Sequence, residues 1–255
     1  MMPPDDSLLR APFEPPVRAF ATTRAGGVSR PPFDSLNLGG ACGDDPARVA
    51  QNRARLASLL PASPCWLMQV HGDRVIHLDD WCPDIAADAA WTDRPGQVCA
   101  VLTADCLPIL VADRQGRCVA AVHAGWRGLV ADVVARCIEA LPVNPGLLDA
   151  WIGPRICHEH YEVDAQVRDA FAGMDEAFVS SRQGHWQADL ARIARMKLLE
   201  AGVSRVTDSR ACTAGQGRFF SYRRDRRTGR MASIIWIASG SDWTTDRYAQ
   251  ADGLR

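Results

Sequence analysis

The chain has no surplus of charge: 29 lysines and arginines stand against 30 acidic residues, a formal net charge of −1 over 255 residues. Its overall field gives no drive toward nucleic acid or an anionic membrane, so neither is expected as a partner. Lysine is nearly missing. Lys197 is the single one, and the remaining basic residues are arginines, whose planar forks can hold phosphate or carboxylate bidentately. No apolar run approaches the roughly 20 residues of a membrane-crossing helix. The opening stretch MMPPDDSLLRAPFEPP is acidic and proline-rich, unlike a basic leader followed by an apolar segment. The nine cysteines are odd in number and scattered, with no Cys-x-x-Cys pair, which excludes a short disulfide framework and points to a reducing compartment. His-Glu-x-x-His is absent too. A soluble cytoplasmic protein is the expectation.

What is present is concentrated in residues 98–130, VCAVLTADCLPILVADRQGRCVAAVHAGWRGLV. Short apolar runs at 98–102, 109–112 and 118–122 between polar breaks read as strands buried on both faces. Beyond the glycines the period changes. Leu129, Val133, Cys137 and Leu141 form a stripe, predicting a helix over 129–141 with one face on a sheet. The length suits one α/β domain, with residues 1–16 as a loose proline-rich tail and 17–245 as the domain.

Elsewhere, strands are expected at 17–23, 65–70, 75–78, 147–152, 203–206 and 232–238, the second and third joined as a hairpin across Gly72-Asp73. Asp45-Pro46 predicts a capped helix over 46–60, and a further helix should span 188–201 with Asp189 near its start. A short helix is expected at 163–173, and loops at 81–96 and 174–187.

Three residues, His71, Cys106 and His123, stand where strands give way to loops. A thiolate and two imidazoles suit a zinc site that keeps one position open for water. Alternatively, His123 could deprotonate Cys106 as a nucleophile; spacing leaves the two open. The glycines at 125–128 could direct backbone amides toward an anion, with Arg127 reinforcing them, though a structural turn explains them as well. Taken alone, Asn37 fits a local backbone contact and Arg53 a structural salt bridge. Cys157, His158 and His160 have the composition of a metal cluster but lack a matching second half.

Several segments resemble one known family. Met68-Gln69-Val70-His71-Gly72, Thr103-Ala104-Asp105-Cys106-Leu107-Pro108 and His123-Ala124-Gly125-Trp126-Arg127-Gly128 match the YfiH family of laccase-domain proteins. So do Ile152-Gly153-Pro154, Tyr161-Glu162-Val163 and Phe220-Ser221-Tyr222-Arg223-Arg224-Asp225. The resemblance implies a single-domain layered α/β sandwich with mixed sheets flanked by helices. It also implies a metal triad of His71, Cys106 and His123, holding zinc or else copper. The implied activity is phosphorolysis of adenosine, inosine or methylthioadenosine, with an accompanying adenosine deaminase activity. On that reading Arg53, Arg127 and Arg223 bind the anion, Asn37, Tyr161 and Phe220 fix sugar or base, and Asp105 orients a ligand or manages a proton. The partners are then a purine nucleoside and inorganic phosphate, on a monomer. Alternatives are an amidase editing cytoplasmic peptidoglycan precursors, a copper-dependent polyphenol oxidase, and a noncatalytic nucleotide sensor. A multicopper mechanism needs more ligands than six histidines readily supply.

Overall fold

Every residue of Leu107–Asp113 and of Val119–Ala124 is buried, the composition of strands covered on both faces. The computed structural model, which describes residues 8–239, sets both at the centre of a six-stranded sheet. In chain order the strands are β1 (Leu8–Arg10), β2 (Val17–Thr22), β3 (Val75–His77), β4 (Ala89–Thr92), β5 (Val98–Thr103), β6 (Leu107–Asp113) and β7 (Val119–Ala124). They continue with β8 (Leu148–Ile152), β9 (Glu162–Asp164), β10 (Phe178–Arg182), β11 (His185–Ala188), β12 (Arg205–Asp208) and β13 (Met231–Ile237). The helices are α1 (Pro46–Ala57), α2 (Trp126–Val130), α3 (Val133–Ala140), α4 (Ala165–Asp169), α5 (Leu190–Glu200) and α6 (Tyr222–Asp225).

The large sheet has the order β12-β8-β6-β7-β4-β3, a second sheet runs β1-β2-β13-β5, and β10-β11-β9 make a third. Pairing in the large sheet is mixed: β12–β8 and β3–β4 are parallel, the rest antiparallel. Alternate residues of β6 serve two cores, as the period of a strand requires. Ile109 and Val111 pack with Val133, Cys137 and Ile138 of α3 and Ile193 and Leu198 of α5. Leu110 and Ala112 pack instead with Val17, Val101 and Ile235 of the second sheet. That sheet's far side, through Phe20, Ala100 and Ile234, is covered by Leu56 of α1 and by Leu36 and Leu38. The result is the expected layered α/β fold: helices, sheet, sheet, helix. Among the described residues no helix is long and apolar enough to cross a membrane.

Both predicted caps are present. Asp45 accepts from Ala47 N at 2.9 Å ahead of Pro46, and Asp189 from Arg192 N at 3.0 Å. Other expectations need correction. The helix expected over 129–141 is two helices, because Asp132 takes a left-handed conformation at φ 64° and its carboxylate pairs with Lys197 of α5. No strand forms over 65–70; Cys65 and Met68 make only isolated bridges, to Cys99 and Ala86. Gln69 takes the place of a ladder there. Its side chain bonds Leu102 O at 2.8 Å and Leu102 N at 2.7 Å, and no hairpin joins this segment to β3. The expected loops contain β4, β10 and β11, while the helix expected over 163–173 shrinks to α4 behind β9. Of the proline-rich tail, residues 8–10 form β1 against β2. Residues 1–7 of that tail and 240–245 of the expected domain lie outside the described residues.

Leu110 is fully buried between the two large sheets. Leu110→Ala should lower unfolding free energy by about 2–5 kcal/mol, read from urea denaturation, whereas an unchanged midpoint would contradict the stacking of the sheets.

Candidate metal centre

Cys106 immediately precedes β6, and His123 lies near the end of β7 opposite Pro108. The antiparallel register therefore brings Cys106 and His123 to one end of the same hairpin. His71 comes from the turn before β3, with φ 61°, a left-handed conformation uncommon for a residue bearing a Cβ. Its Nε2 lies 3.8 Å from Cys106 Sγ, and the three donor atoms all fall within 4.8 Å of one another. The two imidazoles meet edge to face with centroids 4.8 Å apart.

One buried carboxylate holds this arrangement. Asp88, just before β4, accepts the backbone N–H groups of Val70 at 3.1 Å, His71 at 2.9 Å and Gly72 at 2.8 Å. It also accepts His123 Nδ1 at 2.7 Å, leaving Nε2 of His123 as the nitrogen free to ligate. Space is held open as well. A Cβ on Gly125 would sit 3.1 Å from His71 Cδ2 and 3.2 Å from Cys106 Sγ, and one on Gly128 would sit 3.1 Å from Gly72 O. His123 is almost fully buried, Cys106 half-buried and His71 exposed, so the cluster is closed behind and open in front.

The electrostatics follow. Burial alone would raise the Asp88 carboxyl, but the bonds from His123, Gly72 and Val70 outweigh it and hold the group below its ordinary range. Burial would likewise raise the Cys106 thiol. The His123 charge and hydrogen bonds from both histidines instead bring it down to about 6. For His123, burial opposes protonation, while Cys106 and Asp88 overcome it and raise the imidazole to about 9. Between those values the metal-free pair is thiolate and imidazolium.

Of the other site residues inferred from sequence, Tyr161, Arg127, Arg223 and Asp105 gather round Cys106. Burial first, then the Cys106 charge, push the Tyr161 phenol up to about 12, against the opposing effect of Arg223 and Arg127. The Arg223 guanidinium stacks 5.1 Å from the Tyr161 ring centroid. Asp105, at φ 108°, accepts Thr213 Oγ1 and Arg223 N, both at 2.6 Å. With both oxygens so engaged, its carboxylate ties the Arg223 segment to the loop that carries Cys106.

Two expected substrate contacts are placed elsewhere. Asn37 is fully buried, its amide donating to Asp44 Oδ2 at 2.9 Å and its oxygen accepting Gly39 N and Arg230 N. The local backbone contact is therefore its role, and it offers no surface to a sugar. Phe220 is also fully buried, packed with Ala104, Ala211 and Met231. Arg53 stacks on Trp66 and donates to Leu38 O at 2.9 Å. The 125–128 stretch opens the five-residue helix α2, with Gly125 at its start and Arg127 in its first turn.

A thiolate and two imidazoles, converging and open on one side, fit a zinc or copper ion well. Relatives bear on this reading. A family model described as multi-copper polyphenol oxidoreductase laccase matches residues 18–238. The chain belongs to that family. It is 48% identical over 227 residues to a purine nucleoside phosphorylase of Pseudomonas aeruginosa, covering 87% of this chain and 93% of that one. It is 46% identical over 228 residues to the purine nucleoside phosphorylase YfiH of Escherichia coli K12, covering 87% and 94%. Among solved structures, a Neisseria meningitidis protein superposes with a TM-score of 0.87 at 42% identity, over 91% of this chain and all of that one. A YfiH protein of Bacillus licheniformis gives 0.86 at 32% identity, over 92% and 97%. The family's description supports metal binding, while zinc and copper both fit the donor set of this chain.

Sequence reasoning missed Asp88 as part of the site. Its only signal was a carboxylate set within Ala86-Ala87-Asp88-Ala89-Ala90, where burial would demand strong partners. Asp88→Asn, which cannot accept all four bonds, should weaken metal binding about 10- to 100-fold in a competition titration with a chelator. In metal-free protein, alkylation of Cys106 should accelerate through a midpoint near 6 and level off before the ordinary thiol value of 9.0. A midpoint at the ordinary value would show that the two histidines do not support the thiolate.

Proposed function

We propose that this chain is a metal-dependent purine nucleoside phosphorylase that cleaves adenosine, inosine and methylthioadenosine with inorganic phosphate and also deaminates adenosine. The observation that carries the reading is Tyr161, stacked with Arg223 and within the electrostatic reach of both Arg127 and the Cys106 ligand of the His71–Cys106–His123 centre. The phosphorylase names of relatives 46–48% identical over most of the chain support it.

In phosphorolysis an oxygen of phosphate forms a bond to the ribose anomeric carbon as the bond to the purine nitrogen breaks, and the base leaves with the electron pair. Arg127 and Arg223 provide permanent positive charge to bind and orient phosphate in a bidentate manner. Two backbone carbonyls, of His160 and Glu162, hold Arg223 Nη1 at 3.3 and 3.1 Å, so its guanidinium is oriented before substrate arrives. Tyr161 remains protonated at neutral pH and can donate from its hydroxyl to the departing base. Asp105 is a positioning residue that fixes Arg223 through its backbone. His71, Cys106 and His123 would hold zinc, with copper as the alternative, and the bound ion would supply a Lewis acid and a water acidified for deamination.

Purified protein incubated with inosine should release hypoxanthine and ribose 1-phosphate only when phosphate is present. Arg223→Ala should raise KM for phosphate roughly 10- to 100-fold, the value of one or two charged hydrogen bonds. Tight nucleoside binding without bond cleavage would point to a sensor. Release of an amino acid from a peptidoglycan precursor, with no phosphorolysis, would overturn the reading in favour of an amidase.

A further inference from the structure

Beside this centre the fold assembles a second group of soft ligands. Past the end of β8, Arg155 N donates to Ala211 O at 3.1 Å and Thr213 N to Arg155 O at 2.9 Å, so two segments far apart in sequence run side by side. That alignment places Cys157 next to Cys212. The short turn 158–160 then folds His160 back over both: its Nδ1 lies 3.1 Å from Cys157 Sγ and 3.6 Å from Cys212 Sγ. The three donor atoms all lie within 4.8 Å of one another.

Three further features set this cluster apart from a chance meeting of thiols. Cys212 Sγ accepts two backbone N–H groups, of Cys157 at 3.3 Å and Gly215 at 3.4 Å, which hold the sulfur in place between the two segments. Gly215 leaves room for the ring, since a Cβ there would sit 3.1 Å from His160 Cε1. The Glu159 carboxylate lies beside the Cys157 thiol in the same short turn. Ligands on a tetrahedral zinc ion with ordinary bond lengths lie about 3.5–3.8 Å apart, close to the spacing already present.

We propose that Cys157, His160 and Cys212 form a second metal site, for a thiophilic cation of the zinc or copper(I) type. Binding displaces the thiol protons to solvent and requires no oxidant. The site ties the end of β8 to the 211–215 segment and fixes the turn leading into Tyr161. It shares no ligand with the His71–Cys106–His123 centre and stands whether or not the chain is a phosphorylase.

The test is metal stoichiometry on the full chain, purified reduced and loaded separately with zinc and, without oxygen, with copper(I). Wild type should carry two equivalents, Cys106→Ala one, Cys157→Ser/Cys212→Ser one, and the triple variant none. Loading by only one of the two metals identifies the cation and supports the site. With cobalt(II) replacing zinc, the metal left in Cys106→Ala should show charge-transfer absorption from two thiolates. His160→Gln, an exposed change, repeats the loss if the double variant fails to fold. A single equivalent in wild type and none in Cys106→Ala, with Cys157 and Cys212 still alkylatable, would overturn the proposal. So would a Cys157–Cys212 disulfide in the intact mass of the protein with no metal taken up after reduction.

Discussion

The carboxylate of Asp88 is the point on which the site depends. A buried anion costs several kcal/mol of lost hydration unless donors surround it, and Asp88 meets that condition with three consecutive backbone N–H groups and one imidazole. Those four bonds also set the geometry of the centre. The backbone bonds fix the left-handed turn at His71, and the imidazole bond fixes the ring of His123. One group thus positions two of three ligands, on chain segments about 50 residues apart.

The remaining ligand is positioned by sheet register. Antiparallel pairing of β6 and β7 sets Leu107 opposite Ala124 and Pro108 opposite His123, and the stacking of two sheets and two helices keeps that register from slipping. A slip of one residue would exchange the two cores of β6. The rigidity needed to hold soft ligands within a few ångströms therefore comes from packing that has no chemical role.

Much of this was legible in the chain. The continuous apolar runs identified β5, β6 and β7, and Asp45-Pro46 and Asp189 marked helix starts correctly. His71, Cys106 and His123 were singled out because each stands at a strand end, and they do converge. Weaker signals failed for definable reasons. β10 is mostly exposed, β11 is only partly buried, and both lack apolar alternation. The helical stripe over 129–141 runs unbroken across Asp132 and carries no mark of the left-handed turn that divides it there. Asn37 and Phe220 carry chemistry suited to a ligand but spend it inside the core.

The sequence by itself determined the fold class, the buried central strands, the family and the residues able to ligate, because these follow from local pattern and residue type. Only the tertiary structure decided which of those residues share a space. Cys157 and His160 show the difference: their order in the chain offered half a cluster, and Cys212, more than fifty residues on, completes it. Long-range contacts of this kind are set by main-chain pairing between distant segments, which leaves no periodicity in either one.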